Sequence, residues 1–286
     1  AQDESQRQRL EFDPLPALPD AIGVAGPIVG IDQDRLIVAG GANFASPDNP
    51  ELWDLPKIYH NRIWVMEAGR DLSSPTYTWT APDKSLVLSE EIGYASVVST
   101  ERGVLVLGGE NANGLTARAY LLNVRKKQSG VGFDAVEFDQ QIPDLPAACK
   151  GGGAAVIGDY VYLVAGEMLD AAGVANGSRV IWRLNLKKVS LDPELDVNQQ
   201  TELWEPLPGW PTEGPPRMFP LVSSQHDGFT DRLLVFSGRY FPEGKDHADA
   251  NNLKFLTDAW SFDPARFSGK GDDGDNSGSW KKIADC

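Results

Sequence analysis

Four places in this 286-residue chain set a reactive or polar side chain directly behind a small-residue turn. Asn43 and Phe44 follow Gly40-Gly41, Glu110 and Asn111 follow Gly108-Gly109, Glu167 follows Ala165-Gly166, and Arg239 follows Ser237-Gly238. Glu90, Glu91 and Arg217 stand a few residues ahead of apolar runs. A carboxylate can take a proton, and a guanidinium can hold an anionic group through two parallel hydrogen bonds. Such a set suits acid–base work on a small anionic molecule. It requires a frame that gathers four distant segments at one place.

The frame is a repeat. Strand-like runs ending in a small-residue pair recur at residues 35–41, 104–109, 161–167 and 233–239. Each follows another short apolar run, at 26–31, 94–99, 152–157 and 219–224. Each precedes a run carrying an aromatic, namely Trp64, Tyr120, Trp182 and Trp260, and a fourth run closes each unit around Trp79, Phe138, Trp204 and Trp280. These are strand lengths with turn punctuation, and no sustained 3.6-residue period interrupts them. Four strands per unit, with glycines after the second and an aromatic in the third, predict an all-β fold, a kelch-type β-propeller. The aromatics are expected to pack blades rather than to hold ligand.

The blades are expected at 21–84, 85–147, 148–212 and 213–286 of a single domain spanning residues 1–286. Residues 10–19 read like a fourth strand with its exit turn, so the arm 1–20 is expected to be a closing strand. The chain nevertheless ends on its own fourth strand, around Trp280. That arithmetic suggests a ring continuing beyond Cys286; the alternative is a four-bladed ring with a redundant arm. In either ring, the loops behind the second strands and ahead of the first strands face the central channel. Glu167 and Arg239 are therefore the expected catalytic residues, and Asn43, Phe44, Glu110, Asn111 and Arg217 the expected substrate-binding residues. Each also has a plain reading as solvated rim or as an ion pair between blades.

Charge narrows the partners. The chain carries 26 Lys and Arg against 41 Asp and Glu, a formal charge of −15. Such a surface repels phosphate backbones, which excludes nucleic acid as a main partner. An anionic small ligand stays open where local cations supply the missing charge. No apolar run approaches the ~20 residues that cross a bilayer as a helix. Cys149 and Cys286 make no disulfide framework, and His60, His226 and His247 are too scattered to suggest a zinc site. Asp246, His247, Asp249 and Asn251 do not match an EF-hand spacing and read as a solvent loop. The start Ala1-Gln2-Asp3-Glu4-Ser5 looks like a mature terminus left by signal-peptide cleavage, so a periplasmic or secreted protein is expected; tag removal would leave a similar end.

A more specific likeness sits in Asp20-Ala21-Ile22-Gly23-Val24-Ala25-Gly26 and in Leu36-Ile37-Val38-Ala39-Gly40-Gly41-Ala42-Asn43-Phe44. Here the sequence resembles the N-acetylneuraminate epimerase (sialic acid mutarotase) family in its cyclically permuted form. Lys57-Ile58-Tyr59-His60-Asn61-Arg62-Ile63-Trp64, Pro215-Pro216-Arg217 and Thr257-Asp258-Ala259-Trp260 extend it across the blades. The resemblance implies a six-bladed ring, interconversion of sialic acid anomers, export to the periplasm and no cofactor. It also implies that a propeller of this kind can be fused to a sodium:solute symporter. The partner would be a small sugar of the sialic acid class, with no membrane contact by this chain itself.

Two departures accompany the likeness. Ser89-Glu90-Glu91 puts carboxylates where the family tends to show an arginine, which should weaken the hold on an acidic sugar. The family's proposed proton acceptor lies in the blade preceding the Gly-Val-Ala-Gly blade. Under the permutation, that blade would come beyond Cys286, and the role does not pass to Glu167. Other readings are a non-catalytic carbohydrate-binding or sensing propeller, and a protein-interaction kelch module. A kelch-type copper oxidase finds no recognisable Tyr/His/Cys set.

Overall fold

The computed structural model describes residues 12–44, 55–69, 76–80, 83–130, 132–138, 142–189, 203–208, 214–247, 249–267 and 279–285. Blade one runs β1 (Ile28–Asp32), β2 (Arg35–Ala39), β3 (Ala42–Phe44), β4 (Lys57–Tyr59), β5 (Ile63–Ala68) and β6 (Tyr77–Trp79). Blade two runs β7 (Ser96–Thr100), β8 (Gly103–Leu107), β9 (Glu110–Asn111), β10 (Gly114–Leu115), β11 (Ala119–Lys126) and β12 (Phe133–Phe138). Blade three runs β13 (Gly153–Ile157), β14 (Tyr160–Val164), β15 (Glu167–Leu169), β16 (Ala175–Gly177), β17 (Ile181–Asn185) and β18 (Trp204–Pro206). Blade four runs β19 (Leu221–His226), β20 (Asp231–Phe236), β21 (Arg239–Tyr240), β22 (Lys254–Phe255), β23 (Asp258–Phe262) and β24 (Trp280–Asp285). The described residues contain no α-helix. The molecule is all-β, four blades arranged as a propeller.

In each blade the first, second, fifth and sixth strands form an antiparallel meander, while the third and fourth pair apart as a small ribbon. The register repeats with the sequence. Val38 faces Trp64, Val106 faces Tyr120, Leu163 faces Trp182 and Val235 faces Trp260. All four aromatics are buried, as blade-packing residues should be. The ribbons were not foreseen in the sequence, where this stretch reads as loop.

Packing follows from strand alternation. In β8, Val104 and Val106 join the core shared with blade one, while Leu105 and Leu107 join the core shared with blade three. A strand buried on both faces reads as a continuous apolar run, which is what Val104-Leu105-Val106-Leu107 is. Each such side chain removed from water contributes ~1.5–3 kcal/mol. A third core joins blades three and four through Tyr162, Ile181, Val235 and Trp260.

The inner strands meet around a chain of backbone hydrogen bonds. Tyr94 N–H donates to Gly26 O (2.7 Å), Gly151 N–H to Tyr94 O (2.7 Å) and Phe219 N–H to Gly151 O (2.6 Å). Among the described residues no bond joins Gly26 to Phe219. The two end blades also show apolar side chains on their outward faces. Val29 and Ile31 of β1 are 50% and 54% exposed, and Leu221 of β19 is 68% exposed. Their sequence neighbours Gly30 and Val222 face blades two and three instead.

Of the N-terminal arm, residues 1–11 lie outside the described residues, and 12–20 contain no strand. The latter are tied to blade one, where Trp79 Nε1 donates to Pro16 O (3.0 Å) and Arg62 pairs with Asp20 (3.2 Å). Cys149 is buried, its thiol pushed up to about 12 by burial; Cys286, and so any pairing between them, lies outside the described residues.

Candidate functional site: a charged cluster at the ribbon end

The ribbons are what position the candidate side chains. The residue just before each link of the axial chain exchanges two backbone hydrogen bonds with the residue that begins, or adjoins, the ribbon. The pairs are Ala25 with Ala42, Gly93 with Glu110, Lys150 with Glu167, and Met218 with Arg239, at 2.7–3.0 Å. The turn feeding the first ribbon needs glycine: Gly40 and Gly41 have φ of +63° and +91°, a region that penalises side chains. Ala42, Glu110, Glu167 and Arg239 are thus structurally equivalent, each pinned beside the axis.

Three of those positions carry charge, and two lead into one polar chain. Lys150 Nζ lies 2.6 Å from Glu110 Oε1 and 3.0 Å from Glu167 Oε1. Tyr59 donates its hydroxyl to Glu110 Oε2 at 2.5 Å, and Lys57 Nζ stands 3.4 Å from the same oxygen. Burial alone would raise the Glu110 carboxyl, but the bonds from Lys150 and Tyr59 outweigh it and hold the group below its usual range. Tyr59 moves the other way, far above the usual phenol range, through burial and its bond to Glu110. Lys150 stays firmly charged: its burial is outweighed by the two carboxylates. Glu110 is therefore a fixed anion with both oxygens engaged. Glu167 keeps one oxygen unclaimed among the described residues.

Arg239 completes the group from blade four. Its guanidinium lies over the Phe219 ring, 4.4 Å from the centroid, and its buried Nε has no hydrogen-bond partner among the described residues. Among the described residues it has no carboxylate partner. Phe219 meets Tyr94 edge-on at 6.1 Å, and Lys57 Nζ lies 4.7 Å from the Tyr94 centroid. Burial and Glu110 raise the Tyr94 phenol, against the opposing pull of Lys150 and Arg239. Lys57, Lys150 and Arg239 against Glu110 and Glu167 make three cations to two anions. Within a chain of charge −15, this locality is net positive.

Next to the cluster is an open groove of about 390 Å³ lined by Gly23, Ala25, Asn43, Phe44, Lys57 and Tyr94. Asn43 shares a hydrogen bond with His60 Nε2 (2.9 Å) and donates to Gly23 O (3.2 Å). A larger cavity of about 600 Å³ lies away from all of these residues. It is flanked by Lys126 and Lys127, which already pair with Glu67 and Asp83. Among the described residues no group of three or more His, Cys, Asp or Glu side chains is placed to hold a metal ion.

The structure thus brings together Glu110, Glu167 and Arg239, with Asn43 and Phe44 on the adjoining groove. It does not bring Arg217 or Asn111 with them. Arg217 is 1% exposed and bidentate on Asp258, with Nη1–Oδ1 3.0 Å and Nη2–Oδ2 2.9 Å, and it also donates to Ser237 O (2.8 Å). Asn111 accepts from Asn113 N–H at the ribbon turn and reaches Glu90 at 3.5 Å. Glu90 is a partner of Arg118 (2.8 Å), which also holds Glu137 (2.8 Å), and Glu91 is exposed.

Five members were missed in the sequence: Lys57, Tyr59, Tyr94, Lys150 and Phe219. Aligning the segments that lead into the four blades exposes three of them. Ala25-Gly26, Gly93-Tyr94, Lys150-Gly151 and Met218-Phe219 occupy one position, so Lys150 and the two aromatics are the odd residues of the set.

No family model matches the chain. A curated protein of Vibrio vulnificus named N-acetylneuraminate epimerase is 29% identical over 114 residues, covering 37% of this chain and 27% of that protein. One of the same name from Vibrio cholerae serotype O1 is 30% identical over 108 residues, covering 35% of this chain and 25% of the relative. The match thus spans about a quarter of the length of these relatives. Over little more than a third of its length, this propeller chain is similar to proteins named N-acetylneuraminate epimerase.

Proposed function

We propose that the chain acts on an acidic sugar of the sialic acid class, interconverting its anomers by acid–base ring opening. The observation that carries this reading is Arg239, a guanidinium with no carboxylate partner among the described residues, beside a pinned chain of carboxylates and hydroxyls. An unclaimed guanidinium suits the sugar carboxylate. Glu167, with one oxygen on Lys150 and one unclaimed, suits the base that takes the anomeric hydroxyl proton. As that proton leaves, the bond from the anomeric carbon to the ring oxygen breaks. The ring oxygen gains a proton from water, and the open-chain ketone recloses on its other face as that proton is lost again and Glu167 returns its own to the new anomeric oxygen. Positioned proton transfer of this kind contributes typically about 10²–10⁴-fold. The name shared by the two relatives supports the sugar class.

The wider setting belongs to the same proposal: a six-bladed ring of permuted order, exported to the periplasm, in some proteins joined to a sugar transporter. The open chain of bonds between Phe219 and Gly26 and the exposed Val29, Ile31 and Leu221 support further blades.

A second reading, a non-catalytic sugar-binding propeller, is favoured by one observation. Glu110 and Lys150 are locked in internal pairs, which leaves little acid–base equipment free. The test is NMR exchange between N-acetylneuraminate anomers with and without the folded chain. Acceleration that is lost in Glu167→Gln supports the isomerase. Unchanged exchange with saturable binding supports the binder, and absence of both overturns the sugar reading.

A further inference from the structure

Two residues hold a backbone conformation that their side chains disfavour, and they occupy the same place in the repeat. Tyr94 has φ of +58° and Phe219 of +54°, where blades one and three have Gly26 (+58°) and Gly151 (+56°). All four are links of the axial chain of hydrogen bonds, so the meeting of inner strands dictates this left-handed backbone. Glycine adopts it without penalty; a bulky L residue there is a genuine outlier. Glycine would satisfy the fold at all four links, as it does at two.

Core packing does not explain the aromatics. Neither Tyr94 nor Phe219 belongs to the three apolar cores between blades. Each ring lies over the glycine of the preceding blade: a Cβ on Gly26 would fall 2.3 Å from Tyr94, and one on Gly151 would fall 2.7 Å from Phe219. The rings therefore sit at the ribbon end of the axis, touching each other edge-on, each with a cation over its face. The Tyr94 hydroxyl has no partner among the described residues. Tyr94 lines the same groove as Asn43 and Lys57. Strain kept at a mouth rather than in a core points to recognition.

We propose that Tyr94 contacts the ligand directly, giving its hydroxyl to an anionic sugar, and that Phe219 is a positioning residue that holds the Arg239 guanidinium for the carboxylate of that sugar. This rests on the acidic-sugar reading of the site. It adds two residues selected by neither the sequence motifs nor their charge.

The test titrates the full chain with N-acetylneuraminate and records melting temperature for each variant. Tyr94→Phe keeps ring and backbone and is expected to weaken binding about tenfold through loss of one hydrogen bond. Tyr94→Gly and Phe219→Gly suit the left-handed backbone; both are expected to stay folded and to bind at least about tenfold more weakly. Phe219→Tyr keeps the platform under Arg239 and is expected to restore wild-type affinity. Variants that melt lower while their folded fraction binds as tightly as wild type would give both residues a structural role and overturn the proposal. Wild-type binding with unaltered affinity in all variants overturns this inference alone. A wild-type chain that binds no N-acetylneuraminate overturns the acidic-sugar reading together with it.

Discussion

Arg217 and Arg239 meet at one backbone bridge of the same blade, Arg239 as a partner in it and Arg217 next to the other partner, Met218, and they end in opposite states. Arg217 is buried with both guanidinium edges on its own fold, held by Asp258 and by the Ser237 carbonyl. Asp258 in turn accepts from Trp260 Nε1 at 2.6 Å, so the pair is anchored into β23, the fifth strand of the blade. Arg239, pinned to Met218 next door, has an aromatic ring beneath it and, among the described residues, no carboxylate partner. Both satisfied the sequence rule of an arginine in a loop facing the channel. What separates them is whether an anion of the fold has already claimed the guanidinium. That depends on residue 258, forty-one positions from Arg217, and not on local motif.

The sharpest way to break this contrast is to remove each arginine. Arg217→Ala leaves Asp258 buried and uncompensated, which should cost about 3–5 kcal/mol. For a chain of this size, that lowers the melting temperature by about 10 °C. Affinity of the folded fraction for N-acetylneuraminate should not change. Arg239→Ala is expected to do the reverse, leaving melting unchanged or slightly raised and weakening N-acetylneuraminate about 10- to 100-fold, the worth of a charge-assisted hydrogen bond. Calorimetric melting and titration of both variants decide it, and a large loss of stability in Arg239→Ala would erase the distinction.

Acid titration sharpens the same comparison on its structural side. The bonds from Arg217 and Trp260 outweigh burial and hold the Asp258 carboxyl below its usual range. A carboxyl lowered on folding stabilises the native state above its unfolded value of about 4, and that contribution disappears as pH falls through the folded value. Wild type should therefore exceed Asp258→Asn in melting temperature by a constant margin from pH 5 to 7, shrinking progressively below about pH 4. A margin independent of pH would show that the pair contributes through packing alone.

The legible part of the molecule was the part that repeats. Trp64, Tyr120, Trp182 and Trp260 recur with their second-strand partners because every blade must fill the same gap, and four copies of one constraint stand out. The ribbons stayed hidden because two- or three-residue strands such as Glu110–Asn111 and Gly114–Leu115 carry no periodicity. β3 and β4 are moreover separated by residues 45–56, so nothing local announces that Lys57 and Tyr59 return to Asn43. Lys150 and Tyr94 were obscured for a different reason: they sit where the repeat invites a small residue, and only comparison across blades makes them odd. Position behind a glycine turn is shared by Glu110, Glu167 and Arg239, and it is where the structure pins them, at the start of the ribbons. It could not identify Arg217 as an internal partner, because pairing with Asp258 is a property of the assembled blade.

Glu90 supplies the smallest effect and the converse case. A carboxylate ahead of blade two should repel an acidic sugar if its charge were free. Instead, Arg118 takes Glu90 and Glu137 together while stacking over Tyr120, at 4.3 Å from the centroid. Blade two thus mirrors blade four with the signs exchanged: Arg118 immediately precedes the fifth strand of its blade, β11, and holds Glu90, while Asp258 begins the fifth strand of its blade, β23, and holds Arg217. The difference is burial. Glu90 is about one-third exposed at its side chain, whereas Glu137 is mostly enclosed and also accepts from Ser89 N–H at 2.6 Å. Removing the exposed partner leaves Arg118 still neutralised, so Glu90→Gln should shift stability by less than about 1 kcal/mol. Affinity for N-acetylneuraminate should change by less than about twofold, because a paired charge presents little field to a ligand in water. A severalfold gain in affinity would mean that Glu90 faces the ligand as a free anion, and pairing within the fold would then no longer separate the two classes of charge.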